Sequence, residues 1–190
     1  MWRYLLCAAI CIAVWVINGK WLVEGKREHN LGELYEHSGL GIFFTLLTLE
    51  LTIGSMLGTQ FDVLWLQIIG SILYIPSAFL VASSIITLRH KGKPEGPDPL
   101  ATTTPIDTGI FRVARHPLYL GTALWSIALM LVFQSVVSVV LGGIAIFCFR
   151  MASKKEDEFN LRKFGDSYAE YMKKVPRWNA LRGLKNLRKG

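Results

Sequence analysis

"HPLYLGTALWSIALMLVFQSVVSVVLGGIAIFCFRMASKKEDE" occupies residues 116–158. Two apolar runs, residues 118–133 and 136–152, are parted only by Gln134-Ser135. Each approaches the roughly 18 to 20 residues that cross a bilayer as helix. A break of two residues between such runs reads as a tight helical hairpin. The chain is expected to enter a membrane just after His116, turn at Gln134-Ser135, and leave just before Lys154. Both ends of the hairpin then sit at one level. Arg115 and His116 come to lie beside Glu156, Asp157 and Glu158.

Outward from the hairpin, three more apolar runs occupy residues 4–17, 40–57 and 63–88. The expected fold is all-α: a polytopic membrane protein of about five transmembrane helices in a single membrane domain, residues 1–190. The spans fall at about 2–19, 39–59, 63–88, 117–133 and 136–152. Composition points the same way. The 190 residues are 52% hydrophobic and 18% charged, against about 25% charged in soluble domains, and mean hydropathy is +0.36. The first run has a secretory-signal reading with Arg3 as its basic start, but no small-x-small cleavage site precedes Lys20. Cys7, Cys11 and Cys148 all lie in apolar runs and read as small filler. Two thiols on one face do not complete a zinc site, so no metal is expected.

Charge sets the orientation. Lys20, Lys26 and Arg27 follow the first run, and Arg89, Lys91, Lys93, Arg112 and Arg115 follow the third. From Lys154 onward there are eleven basic and five acidic residues. The connections near Asp62 and at Gln134 hold no Lys or Arg. Basic loops thus alternate with neutral ones, which places the N-terminus outside and the long loops and C-terminus in the cytoplasm. The basic tail suits anionic lipid better than nucleic acid.

Between the third and fourth runs lies a linker, residues 89–109, whose Pro94, Pro97, Pro99 and Pro105 forbid a regular helix. Its later part, "LATTTPIDTGIF" at residues 100–111, mixes apolar and hydroxyl residues and reads as ordered. Beyond the fifth run, Phe164, Tyr168, Tyr171, Met172 and Val175 fall at helical spacing, with Asp166, Glu170, Lys173 and Lys174 between them. That pattern predicts a cytoplasmic amphipathic helix, ended by Pro176.

The hydroxyl-rich loop, the Arg-His pair and the acidic cluster thus share the cytoplasmic side. Together they suit a mixed-charge ligand. Arg and His take an anionic end, and carboxylates take an amine or ribose hydroxyls. A second ligand arrives from lipid. Singly, each residue also has an ordinary reading. Arg115 is an interface anchor, His116 precedes a helix-starting Pro117, Tyr119 belongs to an aromatic belt, and Glu156 to Glu158 open a solvated turn. Their joint spacing is what makes a site.

"RHPLYLG" at residues 115–121, the hairpin, the acidic pair and "FGDSYAEYMKKVPR" at 164–177 together resemble the integral-membrane methyltransferases. That family includes isoprenylcysteine carboxyl methyltransferase and the phospholipid N-methyltransferases. The resemblance covers roughly residues 102–177; the first three spans share only their hydrophobicity. It implies an S-adenosylmethionine pocket on the cytoplasmic side, within about residues 100–178. It also implies a lipophilic acceptor, a prenylcysteine-like carboxylate or a phospholipid amine, entering from the bilayer. Carried across, His116 and Tyr119 match cofactor contacts, with Arg115 in the same motif. Thr103, Thr104, Pro105 and Ile106 match the segment whose backbone lines the cofactor, and Phe111 stands where Tyr is common. Glu156 matches the cofactor-binding glutamate when Phe164-Gly165 is the anchor. The usual Glu-Glu is here Glu156-Asp157, and Leu161 sits one place late, so Asp157 and Glu158 stay as alternatives. Arg150 aligns loosely with an arginine that contacts substrate.

Methyl transfer is chiefly a matter of holding two reactants in line, so no catalytic side chain is assigned. Membrane sterol and enone reductases, which use NADPH, share the arginine-histidine-proline motif and a Tyr-rich ending, but the short chain and "FGDSYAEY" favour methyl transfer. A non-enzymatic scaffold would leave the clustered polar residues unexplained. One residue stands apart: Glu50, inside the second run. A carboxyl at that depth is a functional candidate by default, here toward the substrate passage. Its other reading is a packing residue, protonated or bonded by the nearby Thr48 and Thr52.

Overall fold

The computed structural model describes residues 1–54, 61–92 and 105–188. Seven α-helices lie within them: α1 Trp2–Arg27, α2 Leu31–Ile53, α3 Leu64–Lys91, α4 Pro117–Phe133, α5 Val136–Phe164, α6 Asp166–Lys174 and α7 Ala180–Leu187. A 3-10 turn, Gly109–Arg112, precedes α4. Helices α1, α3 and α5 are long and apolar enough to cross a membrane; α4 is apolar but has 17 residues. Large apolar side chains on α1 and α3, among them Leu5, Ile12, Val16, Trp65, Ile72 and Ile75, stand exposed. Hydrocarbon, unlike water, accommodates such a surface.

The helices begin and end for local reasons. Asn30 caps α2, its side chain accepting from Gly32 and Glu33 N–H. Pro117 opens α4, where its missing N–H costs nothing. The hairpin turn is the two residues expected. Gln134 takes a left-handed φ of 49°, and its side-chain amide pairs with both the N–H and the C=O of Val63. Ser135 Oγ accepts from Ser138 N at 2.9 Å, and Ser138 Oγ accepts from Ser135 N at 3.1 Å. This reciprocal bonding closes the start of α5.

The structure revises one sequence expectation about element limits and adds one helix. The expected amphipathic helix is divided: α5 runs on through Phe164, Gly165 breaks the chain at φ 59°, and α6 starts at Asp166. Glycine alone takes that conformation without strain. The short amphipathic α7 was not foreseen from the sequence.

The chain forms two compact units. Met1–Ile75 with Ala123–Ala152 makes the first, and Pro76–Thr122 with Ser153–Gly190 the second. In the first, helices meet at small residues, which let backbones approach. A Cβ on Gly39 would lie 2.9 Å from the buried Phe149 ring, and one on Gly70 would lie 2.9 Å from the Ala128 carbonyl oxygen. Aromatic rings fill the remainder: Phe43 meets Trp125 at 5.9 Å and Trp125 meets Tyr74 at 6.2 Å between centroids. In the second unit, Ser77 on α3 donates to the Gly121 carbonyl of α4 at 2.7 Å. Tyr168, Tyr171 and Val175 form a buried cluster there, with Phe164 and Met172 against it.

Candidate functional site

The second unit centres on one carboxylate, that of Asp157. Arg115 donates to it twice, Nε to Oδ1 at 3.2 Å and an NH2 nitrogen to Oδ2 at 2.9 Å. His116 Nε2 lies 2.7 Å from Oδ1, Tyr168 OH donates to Oδ1 at 2.8 Å, and Arg177 Nε donates to Oδ2 at 2.7 Å. Five donors saturate a carboxylate's lone pairs, and the Asp157 side chain is 3% exposed. Arg115 also donates to the carbonyls of Met172 and Val175. Arg115 N–H and His116 N–H bond the carbonyls of Pro176 and Arg177. The "VPR" stretch is therefore laid along the "RH" of the motif.

Glu156 differs. Its Oε2 lies 3.4 Å from His116 Nδ1, and Tyr119 hydrogen-bonds its carboxyl. Its side chain is 43% exposed. His116, 4% exposed, thus holds two carboxylates, one on each ring nitrogen, and stacks on Tyr119 at 5.8 Å. Burial alone would lower the His116 pKa. The charge of Glu156 and the hydrogen bonds to Asp157 and Glu156 overcome this and raise it from 6.5 to about 9. His116 is then a cation at neutral pH, with both nitrogens donating. Desolvation works against the charges of Glu156 and Asp157 too. His116, with Tyr119 for the one and Arg115 and Arg177 for the other, holds both below the usual carboxylate range. Burial and the Asp157 charge push the Tyr168 phenol up, which keeps it a donor.

The His116 pKa carries a pH dependence. Its folded value is raised, so its contribution to stability is complete below pH 6.5, declines above that, and is lost as pH rises through about 9. Melting temperature measured across this range should fall toward the alkaline end, and His116→Gln should flatten the dependence.

The remaining expected residues distribute as follows. Phe111 is buried in the 3-10 turn, and its carbonyl accepts from Tyr171 OH at 2.6 Å. Pro105 is exposed and Ile106 half-buried in the segment before that turn. Thr103 and Thr104 lie outside the described residues. Arg150 is half-buried on α5, in the first unit. Glu50 is also in the first unit, 4% exposed, and accepts from Ser135 Oγ at the hairpin turn. The expected threonine partners are bonded elsewhere: Thr48 donates to the Phe44 carbonyl and Thr52 to that of Thr48. Ser135 therefore takes the place of both, because helix threonines satisfy themselves on the preceding turn. Glu50→Gln keeps an acceptor for Ser135, whereas Glu50→Leu removes it. The expected cost of the second is about 1 to 3 kcal/mol, read as a lower melting temperature than that of the first.

Arg177 and Tyr168 join the site although neither is marked as a site residue in the sequence, and Asp157, an alternative to Glu156 by spacing, is bonded by five donors beside it. The sequence does carry a signal for this: two adjacent carboxylates face a cationic pair, and one of the two must be more deeply engaged.

The sequence pattern of the phospholipid methyltransferase family matches residues 65–167, from α3 through the start of α4 to the ionic cluster on α5. The chain belongs to that family. The match begins near the start of α3, so this helix shares more with the family than its hydrophobicity. Among curated proteins, the chain is 31% identical over 120 residues to protein-S-isoprenylcysteine O-methyltransferase of Xenopus laevis, covering 60% of this chain and 41% of that protein. The protein of that name from Dictyostelium discoideum is 29% identical over 80 residues, 42% of this chain and 33% of that one. That of Schizosaccharomyces pombe is 32% identical over 72 residues, 37% and 30%. The chain thus matches less than half the length of these relatives. No solved structure matches it significantly. Apolar helices and family membership together make it an integral membrane protein, and the reductase reading is not favoured.

Proposed function

We propose that the chain is an S-adenosylmethionine-dependent methyltransferase of the bilayer, acting on a lipophilic acceptor. The observation that carries this reading is Glu156: a half-exposed carboxylate, anchored by His116 and Tyr119 beside a saturated Asp157, in a chain of the phospholipid methyltransferase family. The residues fit the cofactor. A carboxylate on a half-exposed side chain suits ribose hydroxyls or an ammonium, whereas Asp157 has no capacity left for either. S-adenosylmethionine supplies an electrophilic methyl on a sulfonium, and a carboxylate acceptor would need no base to take it.

The work of this chain's residues is positioning. Glu156 binds directly, and Tyr119 and His116 orient it. Arg115, bonded to Asp157 and to the Met172 and Val175 carbonyls, and Arg177, bonded to Asp157, hold α5, the "VPR" stretch and the start of α4 together. Arg115 and His116 thereby act behind the cofactor rather than on it. The segment Thr103, Thr104, Pro105 and Ile106 would line the cofactor with backbone, and Arg150 would face the lipophilic acceptor; Glu50, buried against Ser135 at the hairpin turn, would serve packing there. We assign α2 and α4 as further spans, five in all within one membrane domain, with the N-terminus outside and the cluster in the cytoplasm.

Calorimetry of the purified protein with S-adenosylhomocysteine and, separately, NADPH tests the cofactor. Binding of the first and not the second is expected; NADPH alone would return the reductase reading. Incubation with methyl-labelled cofactor and lipid extract, followed by product analysis, then names the acceptor. Single cysteines at Lys91, Lys185 and Asp62, probed with an impermeant reagent in intact cells, test the orientation. Position 62 should label from outside, and 91 and 185 only after lysis.

A further inference from the structure

Helix α7 is held on one side and bare on the other. Gly183 is buried, and a Cβ there would run into the Val113 carbonyl, so the helix backbone rests directly on the turn before α4. Asn186 Nδ2 donates to the Lys174 carbonyl at 3.0 Å, and Asn179 caps the helix by accepting from Arg182 N at 2.9 Å. These attachments set the rotation of α7. With Gly183 inward, the helical period turns Leu181, Lys185 and Arg188 to the opposite side, with Leu184 beside them. Leu181 is 81% and Leu184 49% exposed, and Arg182, Lys185 and Arg188 are exposed around them. No acidic residue lies on α7.

We propose that α7 is an interfacial helix whose Leu181 and Leu184 face, framed by Arg182, Lys185 and Arg188, docks on the anionic phospholipid layer of the membrane that holds the chain. Leucines among basic residues are what a negatively charged bilayer surface takes: the side chains leave water while the cations meet lipid phosphates and carboxylates. Charge selects this occupant over a second copy, since the chain carries a net charge of +7 and would repel itself there. The inference stands independently of the methyl-transfer reading.

The test uses the full chain with Cys7, Cys11 and Cys148 replaced by Ala and one new cysteine, Leu184→Cys, carrying a polarity-sensitive fluorophore. A second version carries it at Leu181→Cys, and only labelled proteins that melt with their unlabelled parent are read. Each is placed in nanodiscs of phosphatidylcholine with or without phosphatidylserine and a lipid-borne quencher. Phosphatidylserine should shift emission to the blue and increase quenching several-fold. High salt, or Arg182→Glu with Lys185→Glu, should reverse both effects. A label that stays in water in both lipids overturns the proposal. So does a blue shift that is independent of lipid charge and appears only as protein concentration rises, which would make the face an interface between copies.

Discussion

Asp157→Asn should lower the melting temperature more than any other single substitution in the cluster. Arg115, His116 and Arg177 converge on this one carboxylate, and it is 3% exposed. Asparagine keeps one acceptor oxygen, loses the charge, and presents an amide to donors. Removing one partner of a buried ionic group leaves the others uncompensated, at about 3 to 5 kcal/mol. For a chain of this size that is on the order of 10 °C, read by thermal denaturation in detergent. Glu158→Gln is the control. Its side chain is 52% exposed and its pair with Lys155 at 2.9 Å lies on the surface, where such pairs contribute little. If Asp157→Asn melts with the parent, the hub is not what holds α5 and α6 to the start of α4.

Glu156→Gln should do the reverse, sparing the fold and weakening the cofactor. Loss of one charge-assisted hydrogen bond costs about 1.5 to 3 kcal/mol, roughly ten- to more than a hundredfold in the affinity for S-adenosylhomocysteine. Glu156 is 43% exposed, so its melting temperature should fall less than that of Asp157→Asn. His116→Ala should impair both properties, because His116 touches both carboxylates. Calorimetry and melting on the same three preparations separate the roles. An unchanged affinity in Glu156→Gln with a large loss in a folded Asp157→Asn would transfer the cofactor contact to Asp157.

The hairpin and the cluster at its base were legible in the sequence for one physical reason. Two apolar runs joined by Gln134-Ser135 leave hardly any topological choice, so the residues just before the first run and just after the second must meet. His116 beside Glu156 follows from that alone. The division of labour between Glu156 and Asp157 does not. Adjacent residues on a helix point about 100° apart, and which of them turns inward depends on the rotation of α5. That rotation is set by what packs on it: Tyr168 from α6, and Arg177 from beyond Pro176. Nor could the partner of Glu50 be read locally, since Ser135 is 85 residues away and nearer threonines offered themselves. The amino-acid sequence by itself determined helical class, membrane residence and the neighbourhood of the site, because hydrophobic run length and turn length are local quantities. Tertiary structure decided which carboxylate is sealed by donors and which stays open, because desolvation and the convergence of charges exist only once distant segments have packed.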